Sequence, residues 1–385
     1  MRALVLIDGE HYAPVVRDAL DSLPYEVVAA LLVGGTEKLR GGEDYGVPLV
    51  ESLDAAEADV VVDLSDEPVL TPRERLLWAS RVLALGLPYE GADFRFDPPR
   101  YHEVAVPSLA VVGTGKRLGK TAVTGHVARL LARDRSVVVV AMGRGGPPEP
   151  ELVESVPTVE DLVVLSREGR HAASDHLETA ALAGVPTVGC RRAGGGMAGA
   201  PFDSNVLEGA LLAASLAPDI VVFDGSGAAI PPVAADARVL VAHDLDGLNP
   251  YRALVSDLVL TRDDAVADAA RGLGRDALRF DLRLEPLEPL EGRVALFTTG
   301  PAPHDHLDAE VVHVSRALAD RPRLREELDG LDADTYLVEL KAAAIDVVAE
   351  HALARGRRVV LAANEVVCDG LDERLLDLVP ERAAR

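Results

Sequence analysis

The chain has 385 residues, 48% hydrophobic but only 4% aromatic, so its cores must be built from Val, Leu and Ala; with 33 glycines this favours an α/β architecture of two or three domains. Its formal net charge of −24 gives a surface that repels polyanions, which excludes bulk binding to nucleic acid or to an anionic membrane. The two cysteines, Cys190 and Cys368, form no CxxC pair, so the chain reads as neither a disulfide framework nor a zinc protein, and free thiols fit a cytoplasmic setting.

The N-terminus reads MRALVLIDGEH. Its apolar run has the length of a strand and acidic Asp8 and Glu10 follow at once, so it does not resemble a signal peptide. No apolar stretch approaches the roughly 20 residues of a membrane span. Ala3–Ile7, Glu26–Val33 and Val60–Asp63 read as strands, and Tyr12–Leu20 and Pro72–Leu85 as helices, with glycines at the turns. This predicts a Rossmann-like α/β domain over residues 1–100 with a parallel sheet. Phe96–Arg100, which contains Pro98-Pro99, reads as a linker.

A second series over 101–290 has strands at Ser108–Val112, Ser136–Ala141, Thr187–Cys190, Ile220–Phe223, Val239–Ala242 and Leu258–Thr261. Its helices fall at Arg117–Ala132, Leu177–Ala183 and Glu208–Leu216. Strands so uniformly apolar are expected where helices cover both faces of a parallel sheet. The low-complexity stretch LRLEPLEPLEG around Pro286–Pro289 reads as a second linker. Beyond it, over 291–385, Arg293–Thr299, Glu310–Val314, Tyr336–Leu340 and Arg358–Ala362 read as strands and Leu340–Arg355 as a helix. They form a small C-terminal α/β segment, either independent or completing an earlier domain.

The strongest signal is LAVVGTGKRLGKTAVTGHVARLLA: an apolar strand, a glycine-rich turn, then Gly-Lys-Thr opening a helix. That is the context of a P-loop NTPase domain. Backbone N–H groups of Gly113, Thr114, Gly115, Lys116, Arg117, Leu118 and Gly119 would wrap the phosphates of ATP, and the helix dipole would favour them. Lys120 would reach the β- and γ-phosphates, and the Thr121 hydroxyl would ligate Mg²⁺. Thr114 stands where the strict GxxxxGK[ST] spacing has Gly; the string resembles the P-loop of dethiobiotin synthetase-type ligases. The apolar run Ile220–Phe223 ending in Asp224 is the second expected metal carboxylate. Asp63, also at a strand end, is a weaker one.

Positive charge collects in glycine-rich loops that follow strands. Lys116 and Arg117 lie in the P-loop, Arg144 in MGRGGPPEPE, and Arg191 and Arg192 in GCRRAGGGMAG. In an open parallel sheet such loops converge on one crevice, where arginine suits bidentate phosphate contacts. His171 and His176, in GRHAASDH ahead of a helix, could touch phosphate or decorate a helix start. Asp8, Glu10 and His11, with Tyr12, sit at the first strand–helix junction and face a crevice or cap the helix.

Together, DGEHY, GTGKRLGKTAV, AMGRGGPPEPE, GRHAASDHLE, GVPTVGCRRAGGG and FDGSGAAIPPV resemble the cyclic 2,3-diphosphoglycerate synthetase family, from Asp8 to about Val233. The resemblance implies an ATP-dependent ligase that closes an intramolecular phosphoanhydride in 2,3-diphosphoglycerate and releases ADP and phosphate. It implies a small phosphorylated acid as partner and leaves a homodimer open. Lys120, Arg144, Arg191 and Arg192 are the expected catalytic residues. Asp8, Glu10, His11, Lys116, Arg117, Arg144, His171, Arg191 and Arg192 are the expected acid-binding set. The competing readings are a P-loop GTPase of regulatory or metallochaperone type, for which no NKxD string is found, and a carboxylate-activating ligase of the dethiobiotin synthetase type.

Overall fold

The computed structural model describes residues 1–155, 157, 158, 161, 164, 175–299, 303–318, 320–340 and 345–380. Three mostly parallel sheets follow one another along the chain. In the first, the strands lie in the order Leu49–Val50, Glu26–Leu32, Arg2–Ile7, Val60–Asp63, Tyr89–Glu90 and Arg95–Phe96, parallel except for the last pair. The neighbours of Arg2–Ile7 lie on opposite sides of it. The connections therefore diverge between the ends of Arg2–Ile7 and Val60–Asp63, the usual place for a ligand in such a sheet. Phe96, read from sequence as the start of a linker, closes this sheet as part of its antiparallel edge strand. The helix Pro72–Ala84 starts at a complete capping box, Thr71 with Glu74, and a proline at its first position.

The second sheet is the largest. Its order is Asp203–Ser204, Thr187–Ala193, Val137–Gly143, Ile220–Asp224, Ser108–Gly113, Ala237–Ala242, Leu258–Thr261 and Asp276–Arg279, with the short strand Glu151–Val153 also pairing with Thr187–Ala193. Every residue of the strands Ser108–Gly113, Val137–Gly143, Ile220–Asp224 and Ala237–Ala242 is buried. That burial follows from strings such as SLAVVG and VVVVAMG, which have no polar face to offer water. Asp276–Arg279, DALR, carries only two apolar residues and was not legible as a strand; it takes the open edge beside Leu258–Thr261.

The third sheet runs Asp281–Pro286, Arg358–Val367, Thr335–Glu339, Arg293–Phe297 and Glu310–Ser315. Here the expected linker is corrected: Asp281–Pro286 is an edge strand, antiparallel to Arg358–Val367 along its whole length. Its proline stands at the strand end, where no further N–H is required of it. The helix expected over Leu340–Arg355 is Ile345–Leu353 among the described residues.

The sheets are joined by packing and by ion pairs. One apolar cluster runs from Leu4, Leu6 and Val61 of the first sheet to Val112, Val140 and Phe223 of the second. The helix Pro72–Ala84 lies against the helix Asn249–Leu254, and Arg73 pairs with Asp246 at 3.2 Å. The P-loop helix Lys120–Leu131 is gripped by the C-terminal lobe. Arg129 donates twice to Glu365, at 2.8 and 2.7 Å, and His126 meets Asp372 at 2.7 Å.

Candidate active site

Ser108–Gly113 occupies the middle of the large sheet, between Ile220–Asp224 and Ala237–Ala242. The chain leaves it in a turn that reaches the helix at Lys120, so the expected helix start at Arg117 is corrected by three residues. Arg117 and Gly119 have φ of +60° and +93°, conformations that unwind the turn and that glycine adopts at little cost. Gly113 is glycine for a second reason: a Cβ there would lie 2.9 Å from the carbonyl oxygen of Gly227. The Thr114 hydroxyl accepts from the N–H of His243 at 2.9 Å, and the Thr114 N–H donates to Val241 O at 3.1 Å. The residue that departs from the strict spacing thus ties the turn to the adjacent strand.

Lys120, Thr121 and Asp224 are all buried. Lys120 Nζ is paired with Asp224 Oδ1, and Thr124 Oγ1 donates to the same oxygen at 2.7 Å. Thr124 went unnoticed in the sequence. It lies one helical turn beyond Lys120, and that spacing was the signal available.

The turn Asp224–Gly227 is also where the arginine loops arrive. Arg192 donates to Ser226 O at 2.9 Å and to Gly194 O. The Arg144 guanidinium lies so close to Gly227 that a Cβ there would sit 2.5 Å from its Nη2. Arg144 and Arg192 are therefore brought beside the P-loop through one shared turn. Arg191, Lys116 and Arg117 are exposed around them. Asn205, at the start of the helix Val206–Ser215, makes no side-chain capping bond. Its side chain accepts from Arg191 N–H at 2.7 Å and donates to Pro147 O and Pro148 O, both at 3.2 Å, binding the Arg144 loop to the Arg191 strand.

Asp8, Glu10 and His11 form a separate cluster where the connections of the N-terminal sheet diverge. The Asp8 carboxylate is buried, meets His11 Nδ1 at 2.7 Å, and accepts from the N–H groups of Glu10 at 2.9 Å and Asp66 at 2.7 Å. Burial alone would push this carboxyl up; the bonds from His11, Asp66 and Glu10 outweigh it and hold the group below the usual carboxylate range. Glu10 accepts from Glu37 N–H at 3.3 Å. Asp63 is bound by Tyr89 Oη at 2.5 Å and Arg75 Nε at 2.9 Å, and it takes the Ser65 N–H at 2.8 Å. It thus braces the loop that presents Asp66. His176 is buried, its ring against Gly189, and His171 lies outside the described residues.

Family models for the cyclic 2,3-diphosphoglycerate synthetase N-terminal, P-loop and C-terminal domains match residues 2–97, 108–267 and 286–365. A relative from Rubrobacter xylanophilus named cyclic 2,3-diphosphoglycerate synthetase is 48% identical, over 98% of this chain and 97% of its own. The chain belongs to the cyclic 2,3-diphosphoglycerate synthetase family. It is an enzyme of the ligase type built on a P-loop domain. A second family member, from Thermococcus kodakarensis, is 44% identical over 96% of each chain. Among solved structures, LpxK from Aquifex aeolicus in complex with ATP aligns at TM-score 0.43 and 14% identity, over 80% of this chain and 94% of that one.

The two cysteines of this family member are free. Cys190 lies under the helix Val206–Ser215, so close to Gly209 that any side chain there would strike its sulfur, and burial pushes its thiol up to about 12. Among the described residues no helix is long and apolar enough to cross a membrane, and no three His, Cys, Asp or Glu side chains gather as a metal site.

Proposed function

We propose that this chain uses ATP to close the phosphoanhydride ring of cyclic 2,3-diphosphoglycerate, releasing ADP and phosphate. The observation that carries the reading is the turn Asp224–Gly227, which meets Lys120 on one side and Arg144 and Arg192 on the other. A nucleotide in the P-loop and a polyanionic acid held by the arginines would lie on either side of that turn.

The chemistry asks mainly for charge cancellation and positioning. A phosphate oxygen of the acid attacks the γ-phosphorus of ATP, the bond to the β-phosphate oxygen breaks, and ADP leaves. The acid then carries a diphosphate. An oxygen of its second phosphate attacks the inner phosphorus of that diphosphate and expels inorganic phosphate, closing the ring. Both nucleophiles are already ionised, so the protein needs no strong general base. Lys120, released from Asp224 by the incoming phosphates, stabilises the transferred group. Arg144, Arg191 and Arg192 hold the acid, with Lys116 and Arg117 at the mouth of the loop. Of the separate cluster on the N-terminal sheet, His11 is the member able to donate a hydrogen bond to the acid; the carboxylates of Asp8 and Glu10 would repel it, and Asp8 is taken up by His11, Glu10 and Asp66.

Thr121 and Asp224 offer oxygen donors beside the P-loop. With so few protein ligands, this donor set suits Mg²⁺, which takes its remaining ligands from nucleotide and water. Bound there, Mg²⁺ would neutralise charge on the β- and γ-phosphates. Cytoplasmic placement belongs to the same reading and is supported by the two free thiols.

Coupled measurement of ADP release tests the proposal. Release that requires 2,3-diphosphoglycerate is expected; release driven equally well by simple carboxylic acids would overturn it.

A further inference from the structure

Arg252 lies on the short helix Asn249–Leu254 and is 3% exposed. Its Nε donates to Ala228 O at 2.8 Å, and its Nη1 reaches Met197 O at 3.0 Å, Leu248 O at 3.1 Å and Asn249 Oδ1 at 3.1 Å. All four acceptors are neutral oxygens, so these bonds, rather than an ion pair, give the buried cation its place. A buried guanidinium needs such partners because the cost of leaving its donors unmet is severe.

The acceptors come from loops far apart in sequence. Ala228 follows the turn Asp224–Gly227, on which Arg144 and Arg192 converge. Met197 is near the tip of the hairpin whose stem pairs Arg192 with Ser204 and Ala193 with Asp203. Leu248 and Asn249 end the segment after Ala237–Ala242, whose His243 holds Thr114 of the P-loop. The hairpin and the turn already touch: Ile230 N–H donates to Gly199 O at 2.8 Å, and a Cβ on Gly199 would come 2.9 Å from Ile230 Cγ1. The opposite side of the hairpin faces water, with Met197 56% and Phe202 93% exposed. The hairpin is therefore held at its stem and along one seam, and Arg252 binds both sides of that seam.

The base of Arg252 is itself fixed. Tyr251 Oη meets Tyr101 Oη at 2.7 Å, and the helix packs on Pro72–Ala84 of the N-terminal domain.

We propose that Arg252 is a positioning residue for the acid substrate: by clamping Met197 and Ala228 together it sets the hairpin bearing Arg191 and Arg192 against the turn beside the P-loop. This rests on the reading that those arginines bind the acid. A lysine could not replace it, because a single ammonium cannot span acceptors on two loops as a planar fork does.

Hydrogen exchange and kinetics on Arg252→Lys and Arg252→Gln test the proposal. Exchange of amides in 194–200 and 226–230 should rise about tenfold or more in Arg252→Lys, while helix 120–131 stays at its wild-type rate. The KM for 2,3-diphosphoglycerate should rise about tenfold while the KM for ATP moves less than about twofold. Arg252→Gln should show both effects more strongly; where it fails to fold, Arg252→Lys retains the charge and carries the test. Unchanged exchange in the two segments, faster exchange throughout the protein, or equal rises in both KM values would overturn it. Exchange is read without turnover, so a wild-type protein that makes no cyclic product would count against the proposed function and leave this test standing.

Discussion

Lys120 and Asp224 hold each other in a buried ion pair, and Thr124 adds a hydrogen bond at 2.7 Å to the carboxylate oxygen that Lys120 engages. The residue expected to bind phosphate and the residue expected to bind metal thus satisfy one another.

Lys120→Ala removes the expected phosphate ligand and strands Asp224. We expect ATP turnover to fall by at least about 10²–10³-fold, the loss seen when a donor to developing anionic charge is deleted. We also expect the nucleotide-free protein to lose about 3 kcal/mol or more, because a buried charge is left unpaired. ADP release assays and urea unfolding read the two effects. Asp224→Asn should lose turnover with a smaller stability loss.

Arg191→Ala and Arg192→Ala should each raise the KM for the acid about tenfold or more, with a smaller change in the KM for ATP. Arg192→Ala also loses the bond to Ser226 O, so it should be the more damaging of the two. Steady-state kinetics with each substrate varied in turn makes the comparison. A larger effect on ATP than on the acid in both variants would contradict this assignment.

The P-loop, Asp224 and the arginine loops were legible because their signals are local: an apolar strand announces where the next loop must emerge. Gly227, Thr124, Asn205 and Arg252 were not, since each acts through partners brought near only by the sheet order. Asn205 precedes a helix in sequence, and its side chain fastens two arginine loops. Asp281–Pro286 was not legible as a strand because the Glu- and Pro-rich stretch LRLEPLEPLEG, which begins within it, masks an edge strand in which Leu282 and Leu284 alternate with charge. His176, placed just ahead of a helix in GRHAASDH, could touch phosphate or decorate the helix start, and the fold buries it against Gly189.

Gly119→Ala should weaken nucleotide binding. The position has φ +93°, and the added methyl would lie 2.9 Å from Leu282 Cδ1 of the C-terminal sheet. Strain of about 1–3 kcal/mol is expected at such a conformation. Thermal unfolding with and without ATP should show a lower Tm and a smaller ATP-induced rise. An unchanged ATP-induced rise would mean that this turn does not hold the phosphates.

Asp8→Asn should destabilise the protein in a pH-dependent way. The folded state holds the Asp8 carboxyl below its ordinary value, so its contribution is full above the unfolded pKa of about 3.9 and is lost as pH falls through the folded value. At pH 7 the variant should be less stable by about 1–3 kcal/mol, because an amide N–H₂ replaces a buried carboxylate oxygen that accepts from a backbone N–H. The gap from wild type should close under acid. Urea unfolding from pH 3 to 7 measures it, and a gap that widens as pH falls would contradict the assignment.

Phosphorus NMR of the protein with ATP, Mg²⁺ and 2,3-diphosphoglycerate puts the whole account to a single trial. Resonances of a cyclic phosphoanhydride should grow together with those of ADP and inorganic phosphate, in equal amounts, and should not appear with Lys120→Ala. ATP consumed with no ring formed, or a ring formed equally well by Lys120→Ala, would contradict it.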